Sequence, residues 1–227
     1  MVVVAGLAAG AGACGDAGGS ADPPPVLDPA DFVAGIDNPY LPLKPGARWV
    51  YGGEVDGAHE RIEVAVTTEH KTVAGIEAVV VSDTNWVDGE LAARTFDWYA
   101  QDRDGNVWYL GEATEEYEHG KVVGTEGSWE AGVDGAEPGI FMLATPRSGE
   151  HYRQRYAAGE AEDLAKVVRT GVTLGQYHDV VVVEESTPYE PGVREEKYYA
   201  PGVGKVHEAQ VAGGHGGTDL VEYTPGT

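Results

Sequence analysis

The sequence predicts an all-β fold, built as an antiparallel sandwich or a barrel-like body, and three observations support this prediction. From about Phe32 onward, short segments of alternating or continuous apolar residues follow one another along the chain. Pairs of turn-forming residues separate these segments at short intervals. The 33 glycines and 13 prolines among 227 residues fit a fold with many short connections.

Strand signals are clearest in three segments. Residues 61–68 alternate between apolar and polar positions, which is the pattern of a half-buried strand. Residues 78–82 and 180–184 are β-branched runs that are typical of buried strands. Residues 160–168 are the only segment compatible with a short helix, and they fit a strand equally well.

Five dipeptides mark tight turns between the predicted strands. Asp-Gly favours a two-residue hairpin, because both central residues of that turn need a positive φ. The five dipeptides are Asp56-Gly57, Asp88-Gly89, Asp104-Gly105, His119-Gly120 and Asp134-Gly135. They predict hairpins, which join antiparallel strands.

Several motifs occur twice in the same order, which predicts a diverged duplication. The halves would be two similar β-meanders, at about 45–125 and 148–227, that pack their apolar faces together. Chance is the alternative, because Val, Gly and Tyr are abundant in any β protein. The recurring motifs are Gly46-x-x-Trp49 with Gly149-x-x-Tyr152, Val79–Val81 with Val180–Val182, Trp98-Tyr-Ala with Tyr198-Tyr-Ala, and Val107 with Val206.

The amino terminus indicates export. Residues 2–13 are small and apolar, long enough for the hydrophobic part of a signal peptide and too short to span a bilayer. Ala11-Gly-Ala-Cys14 resembles a bacterial lipobox, in which the cysteine sulfur receives a diacylglyceryl group, although Ala11 stands where Leu is usual. The alternative is a non-lipidated signal and a secreted protein. The predicted segments are a signal at 1–13, the lipidation site with a Gly/Ser/Pro tether at 14–31, and a single β domain at 32–227.

The charge balance excludes several classes of partner. Asp and Glu number 38 against 15 Lys and Arg, which gives a formal charge of -23. The phosphates of DNA, RNA or an anionic membrane would be repelled, so we expect membrane contact only through the lipid anchor. The single cysteine excludes an internal disulfide framework and a multi-cysteine zinc site.

Four longer motifs resemble those of an uncharacterised family of bacterial exported lipoproteins. The resemblance extends over about residues 32–206. It implies a location in the cell envelope, outside the cytoplasm, and it brings no catalytic residue with it. The motifs are Asn38-Pro-Tyr-Leu-Pro-Leu-Lys-Pro-Gly46-x-x-Trp49-x-Tyr51, Trp98-Tyr-Ala-Gln-Asp-x-Asp-Gly-Asn-Val-Trp108, Thr125-Glu-Gly-Ser-Trp-Glu-Ala-Gly132 and Tyr199-Ala-Pro-Gly-Val-Gly204.

Aromatic residues are the candidate ligand-binding groups. Exposed aromatics flanked by acids and amides hold sugar rings or peptides on β-sandwiches. On one strand, Phe96 and Trp98 face one way while Asp97 and Tyr99 face the other, so one aromatic set can meet solvent. Core packing is the alternative explanation. The candidates are Trp98, Tyr99, Trp108, Tyr109 and Trp129.

Asp102, Asp104 and Asn106 are calcium candidates, and they do not form an EF-hand. With Gly105 at the sixth position of such a loop, Ala100 and Gly111 stand where the first and twelfth ligands are needed. A hairpin turn with solvated acids explains the same residues. We therefore expect no metal and no other cofactor.

The sequence favours an exported, lipid-anchored, non-catalytic binding or structural module whose partner is an envelope component or a small ligand. One alternative is an extracytoplasmic hydrolase that uses carboxylates on polysaccharide, which predicts a buried acid of raised pKa in a cleft lined by Trp98 or Trp108. Another is a carrier of an apolar ligand, which predicts an elongated cavity lined by Val and Leu.

Overall fold

The computed structural model describes residues 27–157 and 161–227. Among these residues, no helix is both long and apolar enough to cross a membrane. A 3-10 helix, Pro29–Asp31, precedes fifteen strands. The strands are β1 (Phe32–Val33), β2 (Arg48–Val55), β3 (Ala58–Val73), β4 (Ile76–Val87), β5 (Glu90–Asp102), β6 (Val107–Glu118), β7 (Lys121–Gly124), β8 (Trp129–Glu130), β9 (Glu137–Met142), β10 (His151–Ala157), β11 (Ala161–Leu174), β12 (Tyr177–Ser186), β13 (Arg194–Ala200), β14 (Gly204–Ala212) and β15 (Gly216–Thr224).

The strands form a closed antiparallel barrel of 12 strands. Strands β2 to β6 pair in sequence order, β6 pairs with β9, and β9 to β15 again pair in order. Pairing between β15 and β2 completes the ring. Strand β1 pairs with β5, while β7 and β8 pair with β6, outside the ring. The predicted all-β fold is confirmed, and of the two predicted forms the barrel is correct.

The two ends of the barrel differ in their connections. At one end, which we call the cap end, the segment 34–47 lies with the turns 103–106 and 201–203. At the other, which we call the hairpin end, the turns 56–57 and 88–89 connect neighbouring strands. The loop after β12 and the turn before β15 also lie at the hairpin end, because β2 to β15 run antiparallel between the two ends.

The strand predictions are confirmed. Residues 61–68 lie in β3, with Ile62 and Val66 buried, and the two Val runs form the buried centres of β4 and β12. The helical alternative for 160–168 is wrong, because residues 161–168 belong to β11. That segment pairs on both sides, with β10 and β12, and this tertiary pairing overrides its local helix propensity.

Four of the five predicted turns have the expected backbone. Both residues have positive φ at 56–57, 88–89, 119–120 and 134–135. At 104–105 only Gly105 does, because Gly105 N–H closes the turn by donating to Asp102. A further turn of this kind, Ala74-Gly75, was not predicted, since Ala rarely adopts a positive φ.

The two predicted halves show matching strand pairings. Gly46 donates to Val66 as Gly149 donates to Val167, and the strand irregularity between residues 98 and 99 recurs between 198 and 199. The register corrects two matches of the sequence repeat. Val81 pairs with Val66 and Val183 pairs with Val167, so Val81 corresponds to Val183. Tyr109 pairs with Tyr99 and Lys205 pairs with Tyr199, so the counterpart of Tyr109 is Lys205. The match of Val107 with Val206 does not give this alignment. The duplication itself stays a prediction.

Motif residues build the cap end. The side-chain amide of Asn38 donates to the carbonyls of Gly105 and Leu143 at 2.9 and 3.1 Å. The indole of Trp49 donates to the Val203 carbonyl at 2.7 Å, and Gly202 N–H donates to the Pro39 carbonyl at 2.7 Å. The motifs that resemble exported lipoproteins therefore include residues with a structural role, closing one end of the barrel.

The folded body begins before residue 32. Leu27 packs against the main core, and the carbonyl of Asp31 accepts a hydrogen bond from Arg103 N–H at 2.8 Å. The segment 27–31, predicted as the end of the tether, therefore belongs to the barrel domain. Asp28 caps its 3-10 helix, with a carboxylate that accepts from Ala30 N–H at 2.9 Å.

Candidate functional site

Cross-strand pairs identify the side chains that point into the barrel. Val81 pairs with Asp97, and Asp97 pairs with Glu112, so these three side chains share one face. Asp83 follows Val81 by two residues and therefore lies on the same face. Its charge interacts with that of Glu208, which lies on the far wall in β14. This shared face is therefore the interior of the barrel.

The interior has an apolar zone towards the cap end and a charged zone towards the hairpin end. The apolar zone contains Trp49, Val66, Val79, Val81, Tyr99, Val167, Val181, Val183 and Tyr199. The charged zone contains eight carboxylates, Glu60, Asp83, Asp97, Glu112, Asp163, Glu185, Glu195 and Glu208, and three cations, Arg155, Lys197 and Lys205. We call this second set the interior charge cluster.

A tyrosine bridges two carboxyl groups in the interior charge cluster. The Tyr109 hydroxyl lies 2.5 Å from Asp97 Oδ1 and 2.8 Å from Glu112 Oε2. One phenol proton can serve only one of these acceptors, so the second contact needs a proton on a carboxyl group. Burial, reinforced by the charge of Glu112, raises the pKa of Asp97 to about 7. Burial therefore favours the protonated form of Asp97.

Arg155 links the tyrosine bridge to the opposite strand pair. Its guanidinium forms ion pairs with Glu112 and with Asp163. Burial by itself would lower the pKa of Arg155, but these two carboxylates raise it, so the guanidinium remains charged. Arg155 thus compensates two of the eight interior carboxylates.

Two lysines compensate part of the remaining charge. Lys197 forms an ion pair with Glu185, whose other oxygen accepts from Gln154 Nε2 at 3.0 Å. Lys205 Nζ lies 2.6 Å from Glu208 and 4.6 Å from the centre of the Tyr51 ring. Burial raises the pKa of Glu208, but Lys205 and Lys197 outweigh it and lower that pKa to about 2.

Four interior carboxyl groups, Glu60, Asp83, Asp97 and Glu195, have no cation within 4.0 Å among the described residues. Burial raises the pKa of Asp83 and of Glu60, and the charge of Glu208 raises both further. Burial, with the charge of Glu208, raises the pKa of Glu195 to about 7. Negative charge is therefore left uncompensated in the interior.

Three buried polar atoms of the same zone have no hydrogen-bond partner, and one of them is Gln210 Oε1, on a residue that pairs with Glu195. Asn85 Oδ1 belongs to a side chain that is 9% exposed, and Thr218 Oγ1 to one that is 2% exposed. Asn85 follows Asp83 by two residues and pairs with Ile62 of the core. Thr218 pairs with Glu208 of the interior charge cluster. All three atoms lie on the inward-facing side of their strands.

The arrangement can accept hydrogen bonds more readily than it can donate them. Its unpartnered groups are carboxylates, two amide oxygens and a hydroxyl. In the described part of the chain, no group of three or more His, Cys, Asp or Glu side chains is placed to hold a metal ion. The chemistry of the zone is therefore that of a polar binding site with an excess of acceptors.

The predicted ligand-binding aromatics lie in the core rather than on an exposed face. Trp98, Tyr99, Tyr109 and Trp129 are buried, and Trp108 is half-buried with its ring edge against Phe32. The Tyr99 and Tyr109 rings stack at 4.9 Å in the interior. Among the aromatic residues predicted to alternate along this strand, Phe96 is the one that meets solvent, with 39% of its surface exposed. Their placement therefore favours the core-packing explanation, and a binding role for these five stays a prediction.

The calcium candidates form a turn whose oxygens are already used. Asp102 accepts from the Asn106 backbone at 2.8 Å, from the Asn106 side chain at 3.0 Å and from the Trp108 indole at 2.8 Å. Asn106 Oδ1 accepts from Ala144 N–H at 2.9 Å. Asp104 is exposed to solvent. This geometry matches the hairpin-turn alternative, and calcium binding at these residues stays a prediction.

Sequence reasoning missed the interior charge cluster. A usable signal exists, because charged residues stand two positions from core residues, as in Val81-x-Asp83 and Lys197-x-Tyr199. In an open sheet, such a pattern indicates the point at which a strand leaves the core and reaches solvent. Closure of the barrel brings these positions together, and closure depends on the pairing of β15 with β2. Cys14, the predicted lipidation site, lies outside the described residues.

Neither the family models nor the curated proteins include a match to this chain. Two solved structures are similar to it. One, described as an exported protein with a YmcC-like fold from Bacteroides fragilis, is 15% identical, and the alignment covers 82% of this chain and 99% of that chain with a TM-score of 0.46. The other, described as a lipoprotein from Parabacteroides distasonis, is 12% identical and covers 82% and 98%, with a TM-score of 0.38. Neither description names a ligand or a reaction.

Proposed function

We propose that the chain is an exported envelope protein, anchored through Cys14, whose barrel is a non-catalytic binding module. The ligand would lie in the hairpin-end half of the interior, within the interior charge cluster. The observation that supports this most directly is the pair of unpartnered buried atoms, Asn85 Oδ1 and Thr218 Oγ1, beside uncompensated carboxyl groups. A partner molecule would satisfy both atoms at once.

The energetics support a bound partner. A buried polar atom without a hydrogen bond costs about 1–3 kcal/mol, and buried charges without partners cost more. A barrel wider than eight strands encloses more room than ordinary side chains fill, and such barrels commonly enclose ligands or water. Glu60, Asp83 and Glu195 point inward yet are only half-buried, so solvent reaches part of their surface.

The proposed location is supported by the sequence of the amino terminus. The small apolar run 2–13 ends directly before the only cysteine, and the segment from 15 to 25 is rich in Gly, Ser and Pro. Leu27 then joins the barrel. A lipid on Cys14 would place the barrel a short tether away from the membrane surface.

A carboxylate-dependent hydrolase is the second candidate, because the pKa of the buried Asp97 is raised to about 7. Neither Trp98 nor Trp108 lines a cleft beside this carboxyl group, as a hydrolase would require. Trp98 lies on the opposite face of β5 from Asp97, and Trp108 packs against Phe32. Asp97 is 4% exposed and accepts a hydrogen bond from the Tyr109 hydroxyl. The binding function therefore explains more of the geometry.

The interior chemistry also argues against an apolar ligand. The inward-facing valines Val79, Val81, Val181 and Val183 are at most 5% exposed, because they pack against one another and against aromatic rings. The inward-facing residues that solvent reaches include the carboxyl groups of Glu60, Asp83 and Glu195. A lipid or other apolar molecule there would leave those charges buried without water, which is strongly unfavourable.

A small panel of ligand classes tests the binding function. The full chain carrying Cys14→Ala is melted alone and with spermidine, arginine, glucose, citrate or magnesium chloride at equal ionic strength. At least one class should raise the Tm, and the same class should not raise it for Asn85→Ala combined with Thr218→Val. If every compound leaves the Tm unchanged, or acts equally on the double variant, the interior is not a binding site.

Metabolic labelling tests the anchor. Cells expressing the wild-type chain or Cys14→Ala are given a palmitate analogue, and the protein is followed by fluorescence and by membrane fractionation. Label and membrane association should be lost in Cys14→Ala only. Equal labelling of both proteins would contradict the anchor, and soluble export without label would indicate the secreted alternative.

A further inference from the structure

We propose that the hairpin-end interior binds an organic cation with two or more amine or guanidinium groups, a diamine or polyamine being the simplest case. This inference rests on the proposed binding function and names its ligand class. It assigns Asp83, Asn85, Glu60 and Thr218 as ligand contacts. None of these residues carried a role in the sequence-based predictions.

The charge of the interior points to a cation. Eight carboxylates face three cations there, and Arg155, Lys197 and Lys205 each already form an ion pair. Asp83 and Glu60 have no such partner in the described part of the chain. An anion or a neutral sugar would add no compensation, whereas a cation would remove the unfavourable repulsion between neighbouring carboxylates.

The hydrogen-bonding groups point to a ligand rich in donors. Asn85 Oδ1 can only accept, and ionised Asp83 and Glu60 can only accept. Thr218 Oγ1 can do either. An ammonium offers three donors and a guanidinium five, so such a group satisfies several of these atoms together.

The positions of the acceptors favour an extended molecule over a metal ion. Thr218 pairs with Gly53, and Gly53 pairs with Glu60, so Thr218 and Glu60 stand two strand spacings apart, about 10 Å. Asp83 and Asn85 are two residues apart on one strand, about 7 Å. Acceptors spread over this span suit an extended molecule, and no group of three or more His, Cys, Asp or Glu among the described residues is placed to hold a metal ion.

An ammonium group already occupies part of the zone. Lys205 Nζ contacts Glu208 at 2.6 Å and lies over the Tyr51 ring at 4.6 Å. A carboxylate together with an aromatic face is the environment in which cationic amines bind well. Asp83 and Glu60 both interact with this lysine, so a second ammonium would join an existing network.

Calorimetry with spermidine tests the ligand class. The full chain carrying Cys14→Ala is titrated with spermidine, and with tetramethylammonium chloride at the same ionic strength as a cation that donates no hydrogen bonds. Spermidine should bind at a stoichiometry of about one, and tetramethylammonium should give no saturable heat. Equal behaviour of the two cations would overturn the inference, because it would indicate screening of the acidic surface.

Matched variants test the assigned contacts. Asp83→Asn and Thr218→Val should each weaken spermidine binding by about tenfold or more, while the exposed Asp104→Asn should not. Thr218→Val keeps the side-chain shape, so it should fold, and the melting curve of each variant confirms this. Equal affinities of the interior and exterior variants would overturn the assignment.

The panel described above separates this inference from the binding function. If glucose or citrate raises the Tm and the double variant abolishes that effect, the interior is a binding site but its ligand is not a cation. If spermidine and arginine alone act, both conclusions stand. If nothing acts, the binding function itself fails, and the ligand class fails with it.

Discussion

The two ends of the wide barrel differ in whether their polar side chains have hydrogen-bond partners. At the cap end, Asn38 donates to two carbonyls, and the Trp49 indole donates to a third. At the hairpin end, Asn85 Oδ1 and Thr218 Oγ1 are buried without partners. The cap end is therefore built for stability, and the hairpin end retains the unmet polar groups expected of a binding site.

Residues of the motifs that resemble exported lipoproteins also lie at the other end of the barrel from the candidate binding site. The residues that resemble exported lipoproteins include Asn38, Trp49 and Gly204, which lie at the cap end. Gly204 lies beside the Trp49 indole with a φ of +98°, a backbone conformation that glycine adopts without strain. The recognisable sequence motifs therefore indicate how the cap end of the barrel is built. No residue of the interior charge cluster belongs to one of these motifs.

The largest effect is expected at Arg155. Arg155→Met leaves the buried Glu112 and the half-buried Asp163 without their cation, which should lower the free energy of unfolding by about 3–5 kcal/mol. Arg94→Met, at an exposed arginine, is the control and should change it by at most about 0.5 kcal/mol. Urea denaturation measures both. Similar losses for the two variants would mean that the interior ion pairs are not coupled to folding.

Two buried asparagines compare the ends directly. Asn38→Ala leaves two cap-end carbonyls without their donor, so it should lower the free energy of unfolding by about 1–3 kcal/mol. Asn85→Ala removes an oxygen that has no partner, and should cost less than about 1 kcal/mol without ligand. Urea denaturation at one pH ranks them. The reverse order would contradict the assignment of the two ends.

Stability should depend on pH through the hairpin end. The pKa of Asp97 and that of Glu195 are raised to about 7, so between pH 4 and 7 the folded chain binds more protons than the unfolded one, and stability falls as pH rises. Asp83 and Glu60, whose pKa values are also raised, act in the same direction. The pKa of Glu208 is lowered to about 2, so its contribution is lost as pH falls below about 4.5.

The Tm should therefore be highest near pH 4–5 and decrease up to about pH 7. Each pKa unit corresponds to about 1.4 kcal/mol, so the change should be easy to detect by calorimetry. Asp97→Asn should reduce the slope, and Asp104→Asn, an exposed acid, should leave it unchanged. A Tm that rises from pH 5 to 7 in the wild-type chain would contradict the assigned shifts.

The smallest effect is expected for calcium. The oxygens of Asp102 and Asn106 are engaged in the turn, so calcium should raise the Tm no more than sodium chloride does at the same ionic strength. Thermal melts in the two salts measure this. A larger rise with calcium, abolished by Asp104→Asn, would restore these residues as a site.

Strands and turns were predictable because their signals are local. The apolar alternation of 61–68 depends only on neighbouring residues, and so does the positive φ that Asp88-Gly89 adopts. The choice between sandwich and barrel was not predictable, because it depends on pairing between β15 and β2 at opposite ends of the chain. The segment 161–168 could not be settled for the same reason, since its neighbours in the sheet decide its form.

The site was less predictable than the fold. Aromatic clustering suggested a binding surface at Trp98 and Tyr109, whereas both rings pack into the core. Asp83 and Glu208 are far apart in sequence and face each other only across the closed barrel. Among 38 acids, their pairing carries no local signal that distinguishes them from solvated surface acids.

The most direct test is a titration of the side-chain carboxyl carbons by NMR, with Asp97→Asn and Glu195→Gln to assign the two resonances. A hairpin-end interior of desolvated, incompletely compensated carboxyl groups predicts that Asp97 and Glu195 titrate at about pH 7. If both instead titrate near pH 4, as solvated carboxyl groups do, the interior charge cluster is open to bulk water and the difference between the two ends is lost.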